Sequence, residues 1–299
     1  MGCKTADKSS PEPHASAKTI SVTALTTPVC ILDKKEVHKE IGGEFKFAGT
    51  LVVYQQGNDI YHALSTARSS ALVETITEHL TDKRLIPIAA YCPLFSSALT
   101  RAPEPLPRNT YVKRPSLISY DRFQQGPLPN GIADDILAEV RICEILQQSP
   151  HPNIARYIGC QLSADRISGI CFVKYGITLM QAVNPRNFMK RKLSATRQGL
   201  GNYRQVVEDV KKGLEHVHSL GLVHNDLNPS NIVSDGNTWV IIDFGSCRYE
   251  GESLDGVGRT YEWFDDAVRT SLPKNDLDAL HEIQIWLEGG TSEAFQFEE

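Results

Sequence analysis

Two short segments leave this chain few ways to fold. They are His224-Asn225-Asp226-Leu227-Asn228-Pro229-Ser230-Asn231 and Asp243-Phe244-Gly245, separated by residues 232–242. The insert reads as two short apolar strands, Ile232-Val233-Ser234 and Trp239-Val240-Ile241, joined at Asp235-Gly236, a dipeptide that favours a tight hairpin turn. Closing that hairpin brings Asp243 back beside Asn231. Asp226, Asn231 and Asp243 then meet at one mouth, with one oxygen-bearing side chain suited to a proton or water and two to a hard cation.

The rest of the 299 residues is enough for one or two domains with a sizeable core. A net charge of -5 gives no basis for nucleic-acid or membrane binding. The cysteines, at positions 3, 30, 92, 143, 160, 171 and 247, are odd in number and form no CxxC pair. They read as reduced thiols of an intracellular, cytoplasmic protein. No apolar run reaches the ~18 residues of a membrane span. Gly2-Cys3 hints at a lipid anchor, but Ala6 stands where the myristoylation pattern takes Ser or Thr.

In chain order, residues 1–19 read as a disordered tail. Leu51 to Tyr54 reads as a strand and Ala71 to Leu80 as a short helix. Gly42-Gly43 and Gly49 read as turn glycines, since their spacing is not that of a phosphate loop. Three prolines stiffen Arg101 to Arg108, and a strand follows at Thr110-Tyr111-Val112-Lys113. Lys113 alternates with apolar neighbours and can face a cleft, with Arg114 the surface-facing alternative. A helix after Asn130-Gly131 buries Ile132, Ile136, Val140 and Cys143. Glu139 lies beside that stripe, and Glu144 is the second candidate to meet the lysine strand. Ile170 to Val173 is a buried strand, left through Lys174-Tyr175-Gly176. A long helix runs from Tyr203 to about Leu220, and its His216 and His218 read as packed or solvated rather than metal-binding. Gly245 to Glu262 reads as a mobile loop. A last helix starts near Asp276 and turns Leu277, Leu280, Ile283 and Leu287 inward, with a frayed tail from Gly289.

His224-x-Asp226-x-x-x-x-Asn231 followed by Asp243-Phe244-Gly245 resembles the catalytic and magnesium loops of protein kinases. Tyr111-Val112-Lys113 resembles their lysine strand and Glu139 the helix glutamate paired with it. His151-Pro152-Asn153-Ile154, the run from His218 to His224 and Asn275-Asp276-Leu277 resemble further pieces in the same order. The resemblance covers Thr110 to Leu287 and is nearest to short kinase-like proteins of fungal genomes, whose loop also reads HNDxNPSN. It implies an α+β, bilobal kinase-like fold: an extension at 20–104 that is a docking surface or part of the N-lobe, a β-rich N-lobe at 105–176, and a short helical C-lobe at 177–299 that stops after the helix near Asp276. It also implies ATP and Mg2+ as cofactors and a protein Ser/Thr hydroxyl as acceptor. Asp226 would orient the hydroxyl proton, within a catalytic set of Asp226, Lys113, Glu139 and His224. Asn231 and Asp243 would hold the metal. Lys113 would grip the phosphates, and the backbone of Lys174, Tyr175 and Gly176 would meet the adenine edge.

Four features depart from that pattern. Ser96 to Arg108 contains no glycine, so no glycine-rich lid precedes Lys113. Asn225 replaces the usual arginine, which argues against switching by loop phosphorylation. Asn228 replaces a lysine near the transferred phosphate, a loss of up to roughly 4 kcal/mol for a unit charge at about 4 Å. The later helices of a protein-substrate platform are not expected. A small-molecule phosphotransferase and a nucleotide-binding pseudokinase are the alternatives.

Overall fold

The structure, a computed structural model, describes residues 28–124, 130–190, 192 and 203–297. The expected tail and the Gly2-Cys3 motif lie outside these. The described chain is α+β, with β-sheets towards its N-terminus and helices towards its C-terminus, as the sequence implies.

Strands β1 (Val29–Ile41), β2 (Glu44–Gln56), β3 (Asp59–Ser65) and β4 (Leu80–Leu85) form an antiparallel meander. Gly42 and Gly43, both at positive φ (65° and 82°), make the β1–β2 turn, a conformation that costs glycine little. Alternate residues of a strand face opposite sides, and β2 uses both. Val52 and Tyr54 close a small cluster with Ala63 and with Ile76 of α1 (Val73–Glu78). Val53 joins the main core with Ile86 and Ala90.

The second sheet carries the lysine. Its order is β5 (Thr110–Lys113), β7 (Arg166–Val173), β6 (Tyr157–Ser163), all antiparallel, with Lys113 opposite Ile170. Residues ahead of β5 lie along this sheet through bridges Leu94–Arg166 and Arg101–Cys160. The approach is close enough that a side chain at Gly159 (φ 141°) would place a Cβ 2.6 Å from the Ala102 nitrogen. After α2 (Tyr120–Gln124), helix α3 (Gly131–Gln148) buries the expected Ile132, Ile136, Val140 and Cys143. Tyr120, Ile132 and Ile136 share the core of Val53 and Ile86, so the N-terminal meander packs on the region around α3.

Beyond the connector come β8 (Ile177–Thr178) and α4 (Leu179–Val183), then α5 (Tyr203–Ser219), which buries Val206, Val210, Leu214 and Val217. Strands β9 (Leu222–Val223), β10 (Ile232–Ser234), β11 (Trp239–Ile241) and β12 (Arg248–Tyr249) frame the motif, and α6 (Pro273–Glu288) packs against α5. Among the described residues no helix is long and apolar enough to cross a membrane.

Two expectations for the C-terminal part need correction. Leu277 does not turn inward and is 45% exposed. The inward position is taken by Asp276, fully buried, and one residue of helix rotates Leu277 about 100° away. The tail is not frayed throughout, because Phe295 and Phe297 are buried. Their rings lie 4.6 and 5.6 Å from the Lys190 ammonium, which bonds Glu282 Oε2 and the Glu262 carbonyl, each at 2.6 Å. A buried cation needs such partners, and they draw the tail in.

Candidate active site

The β10–β11 hairpin forms at Asp235-Gly236, with Ile232 opposite Ile241. Its closure is continued by Ile242 N–H donating to the Asn231 carbonyl at 3.0 Å. Asn231 and Asp243 therefore line one cleft. Asn231 Nδ2 donates to an Asp226 carboxylate oxygen at 3.1 Å, which ties the third member to the pair.

The turn carrying Asp226 is held from behind. Asp276 accepts the consecutive backbone N–H groups of His224 and Asn225, both at 2.8 Å, and His218 Nε2 lies 2.8 Å from the same carboxylate. Asn225 sits at φ 63°, a left-handed conformation that asparagine tolerates better than most residues. Its amide bonds the Val223 carbonyl, the Ser271 hydroxyl and Asn275. The place of the usual arginine is thus filled by a buried neutral network. His224 is also buried, with Nε2 3.0 Å from the Ile242 carbonyl and its ring edge-on to Phe244. The ring is fully covered and braces the loop from inside the protein.

Lys113, Glu139 and Asp243 meet as a triad. The ammonium lies 2.7 Å from both Glu139 oxygens and 2.7 Å from Asp243 Oδ1. Burial alone would push the Lys113 ammonium down, but the two carboxylates outweigh it and raise it above the ordinary lysine range. Burial and Asp243 push Glu139 up against the pull of Lys113. Asp243 is opposed by burial yet held below its ordinary value, chiefly by Lys113. Glu144, the other helix candidate, faces away and accepts from the Thr100 amide and hydroxyl and from Tyr157.

Sequence reasoning missed Thr260. Its amide donates to Asp226 Oδ1 at 2.6 Å, its hydroxyl to Oδ2 at 3.2 Å, and the same hydroxyl accepts from Asn228 Nδ2 at 3.0 Å. Burial raises Asp226, and the Thr260 hydrogen bonds hold it partly down. No spacing rule links Thr260 to a residue 34 positions earlier. Asn228 is itself buried and accepts from the Ser230 amide, so it braces the loop. The segment expected to be mobile is tied further by Gly251 N–H to the Ser271 carbonyl and Leu254 N–H to the Arg269 carbonyl, at 2.7 and 2.9 Å.

The cleft of about 440 Å³ is lined by Tyr111, Lys113, Phe172, Val233, Ile242 and Asp243 together with the connector. In that connector the Lys174 N–H donates to the Asn109 carbonyl and the Gly176 N–H to the Ser234 carbonyl, at 3.0 and 2.9 Å. Those amides are spent inside the protein. The Tyr175 N–H has no hydrogen-bond partner among the described residues, so of the three it is the amide open to a ligand. A larger groove of about 950 Å³, behind the connector and lined by Pro103, Pro107 and His151, carries none of these charged groups.

The protein kinase domain family matches residues 125–265 of this chain, a span that holds Glu139, Asp226, Asn231 and Asp243. That span is just under half of the chain, and the match supports a place in the protein kinase superfamily. The chain is 45% identical over 61 residues to serine/threonine-protein kinase ELM1 of Saccharomyces cerevisiae, covering 20% of this chain and 10% of that protein. Over 118 residues it is 26% identical to human kinase suppressor of Ras 2, covering 40% and 12%. Over 81 residues it is 35% identical to mitogen-activated protein kinase hog1 of Trichoderma harzianum, covering 27% and 22%. The chain thus spans between a tenth and about a fifth of the length of these curated relatives.

Proposed function

We propose that the chain transfers the γ-phosphoryl group of Mg-ATP to a Ser or Thr hydroxyl of a protein. The observation that carries this reading is the triad of Lys113, Glu139 and Asp243, at 2.7 Å contacts in the cleft that also holds Asn231. Phosphoryl transfer is mostly positioning and charge neutralisation, and these are the functions the side chains can perform. Lys113, fixed by Glu139, presents a cation to the phosphates. Asp226 orients the acceptor hydroxyl and takes its proton as the hydroxyl oxygen bonds the γ-phosphorus and the bond to the bridging oxygen breaks, releasing ADP. Thr260, Asn228 and Asn231 hold the Asp226 carboxylate in place.

The residues fit a magnesium ion. Asn231 Oδ1 and Asp243 Oδ2 accept no hydrogen bond from the described residues. Two such oxygens suit Mg2+, which completes its shell with phosphate and water oxygens. When bound, the ion neutralises charge on the transferred phosphate. The names of the yeast and Trichoderma relatives, both protein kinases, favour a protein acceptor. The cysteines Cys30, Cys92, Cys143, Cys160, Cys171 and Cys247 are free thiols, which suits an intracellular setting.

The test is phosphorylation of a protein substrate panel, or of the chain itself, with labelled ATP. Asp226→Ala is expected to cut transfer about 10²- to 10⁴-fold, the contribution of a positioned base, while Mg-ATP still stabilises the variant against heat. Equal transfer by both proteins, or none by the wild type, overturns the reading.

A further inference from the structure

The loop after the motif opens a second pocket of about 390 Å³, lined by Arg122 of α2 and by Gly256, Gly258, Arg259, Asp266 and Arg269. It shares no lining residue with the 440 Å³ cleft. It adjoins the base all the same, because Thr260, next to Arg259 in the chain, donates its amide to Asp226 Oδ1 at 2.6 Å. Arg259 and Arg269 converge on one oxygen: the Val268 carbonyl accepts from Arg259 Nη2 at 3.2 Å and from Arg269 Nη1 at 3.3 Å. Their other hydrogen bonds also go to main-chain carbonyls, those of Asp265 and Asp266. The buried Arg259 Nε has no partner among the described residues. No ion pair joins Arg122, Arg259 or Arg269 to a carboxylate among those residues, although the chain carries a net charge of -5 and Asp255 and Asp266 line the same pocket. The carbonyls account for the N–H groups in use but not for two positive charges set side by side. Burial and Arg269 push the Arg259 guanidinium below its ordinary range, against the pull of Asp266, Asp265 and Asp226. Arginine keeps its proton in proteins, so an anion, and not deprotonation, relieves the repulsion. The Gly256 and Gly258 N–H groups donate to nothing among the described residues, and unpaired amides in a concavity also receive anions.

We propose that Arg259 and Arg269, with Arg122 at the rim, form a specificity site for the protein substrate that takes an anionic group, a phosphate or a carboxylate, carried close to the acceptor hydroxyl. The inference deepens the kinase reading and rests on it. A guanidinium fork matches the paired oxygens of carboxylate and phosphate and is weakly hydrated, so it binds them better than an ammonium does. The net negative charge of the chain disfavours an acidic peptide elsewhere on its surface, so the pocket also fixes the register in which such a peptide lies. Arg259 is one residue from the amide that holds Asp226, and an extended peptide advances ~3.3 Å per residue, which places the anion within about four residues of the acceptor.

The experiment measures kcat/KM of the purified full chain with Mg-ATP on Ser-acceptor peptides that carry phosphoserine, Glu, Ala or Lys at each position within about four residues of the acceptor. Wild type is expected to prefer an anionic residue over Ala at one position by about tenfold or more, the value of one hydrogen bond to a charged group, and to lose most of that preference at high salt. Phosphoserine well ahead of Glu marks a substrate already phosphorylated nearby, and equal use of the two marks an acidic one. The readout in each variant is the ratio of anionic to Ala peptide, which does not depend on how much of the protein is folded. Arg269→Lys is expected to keep a preference, Arg269→Gln and Arg122→Gln to reduce it, and Arg269→Glu to favour Lys at the same position. Transfer by wild type without preference for an anion, or a preference that survives in Arg269→Glu, overturns the inference and leaves the kinase reading standing. A wild type that transfers phosphate to none of the peptides and to no protein overturns the kinase reading, and the substrate site with it.

Discussion

Replacing Asp276 with alanine should unfasten the turn that carries Asp226. The carboxylate is fully buried and serves three donors at 2.8 Å: two consecutive backbone amides and the His218 ring. Hydrogen bonds to a charged acceptor contribute about 1.5–3 kcal/mol each, and orphaned buried donors cost a similar amount. Removing the carboxylate also relieves its own desolvation. The net loss is about 3–5 kcal/mol, the usual cost of breaking a buried charged cluster from one side. That is a large part of the 5–15 kcal/mol by which a typical domain is stable. Asp276→Asn keeps one acceptor oxygen but turns an NH2 group towards a donor, so about half the loss is expected. The assay is urea unfolding followed by the fluorescence of buried Trp263 and Trp286. The midpoint should fall with an unchanged slope. Below the midpoint, at temperatures where the variant is folded, phosphoryl transfer should also fall, since Asp226 rides on the released turn. A loss under about 1 kcal/mol for Asp276→Ala would show that the carboxylate does not hold the turn and would refute the reasoning.

Lys190→Met should cost about 3–5 kcal/mol in the same unfolding assay, because it leaves the Glu282 carboxylate in a dry site without its ammonium partner. Adding Glu282→Gln should restore most of it, and equal losses in the single and double variants would disprove the pairing. Asp226 acts as a base only when ionised, and burial raises it above the ordinary aspartate value of about 3.9. Its kcat/KM should therefore fall on acidification through a value above that range. Thr260→Val removes a hydroxyl hydrogen bond that favours the ionised form, so the acid limb of the pH profile should move to higher pH. A limb that stays put or moves down counts against the contact.

Much of the helical and hairpin framework was legible because it depends on local periodicity. The stripes of α3 and α5 and the Asp235-Gly236 turn are set by residues within a few positions of one another, where side-chain spacing and turn chemistry suffice. Lys113 and Glu139 were legible as members of a pattern, with Glu144 the second candidate on the same helix, and packing shows that Glu139 is the one that faces β5. Leu277 misled because an apolar residue at helical spacing normally points inward. Here a buried carboxylate with three donors takes that direction.

The sequence by itself determined the chemical groups at the mouth of the cleft and their order: a lysine strand, a helix carboxylate, then Asp226, Asn231 and Asp243 around a tight hairpin. Tertiary structure alone decided what holds them. Asp276 behind the turn, Thr260 on the base and the Lys190 cluster under the tail are set by contacts between segments 34 to more than 90 residues apart. Such contacts leave no periodic trace in the chain, because the buried polar groups they answer to exist only once the distant segments have packed.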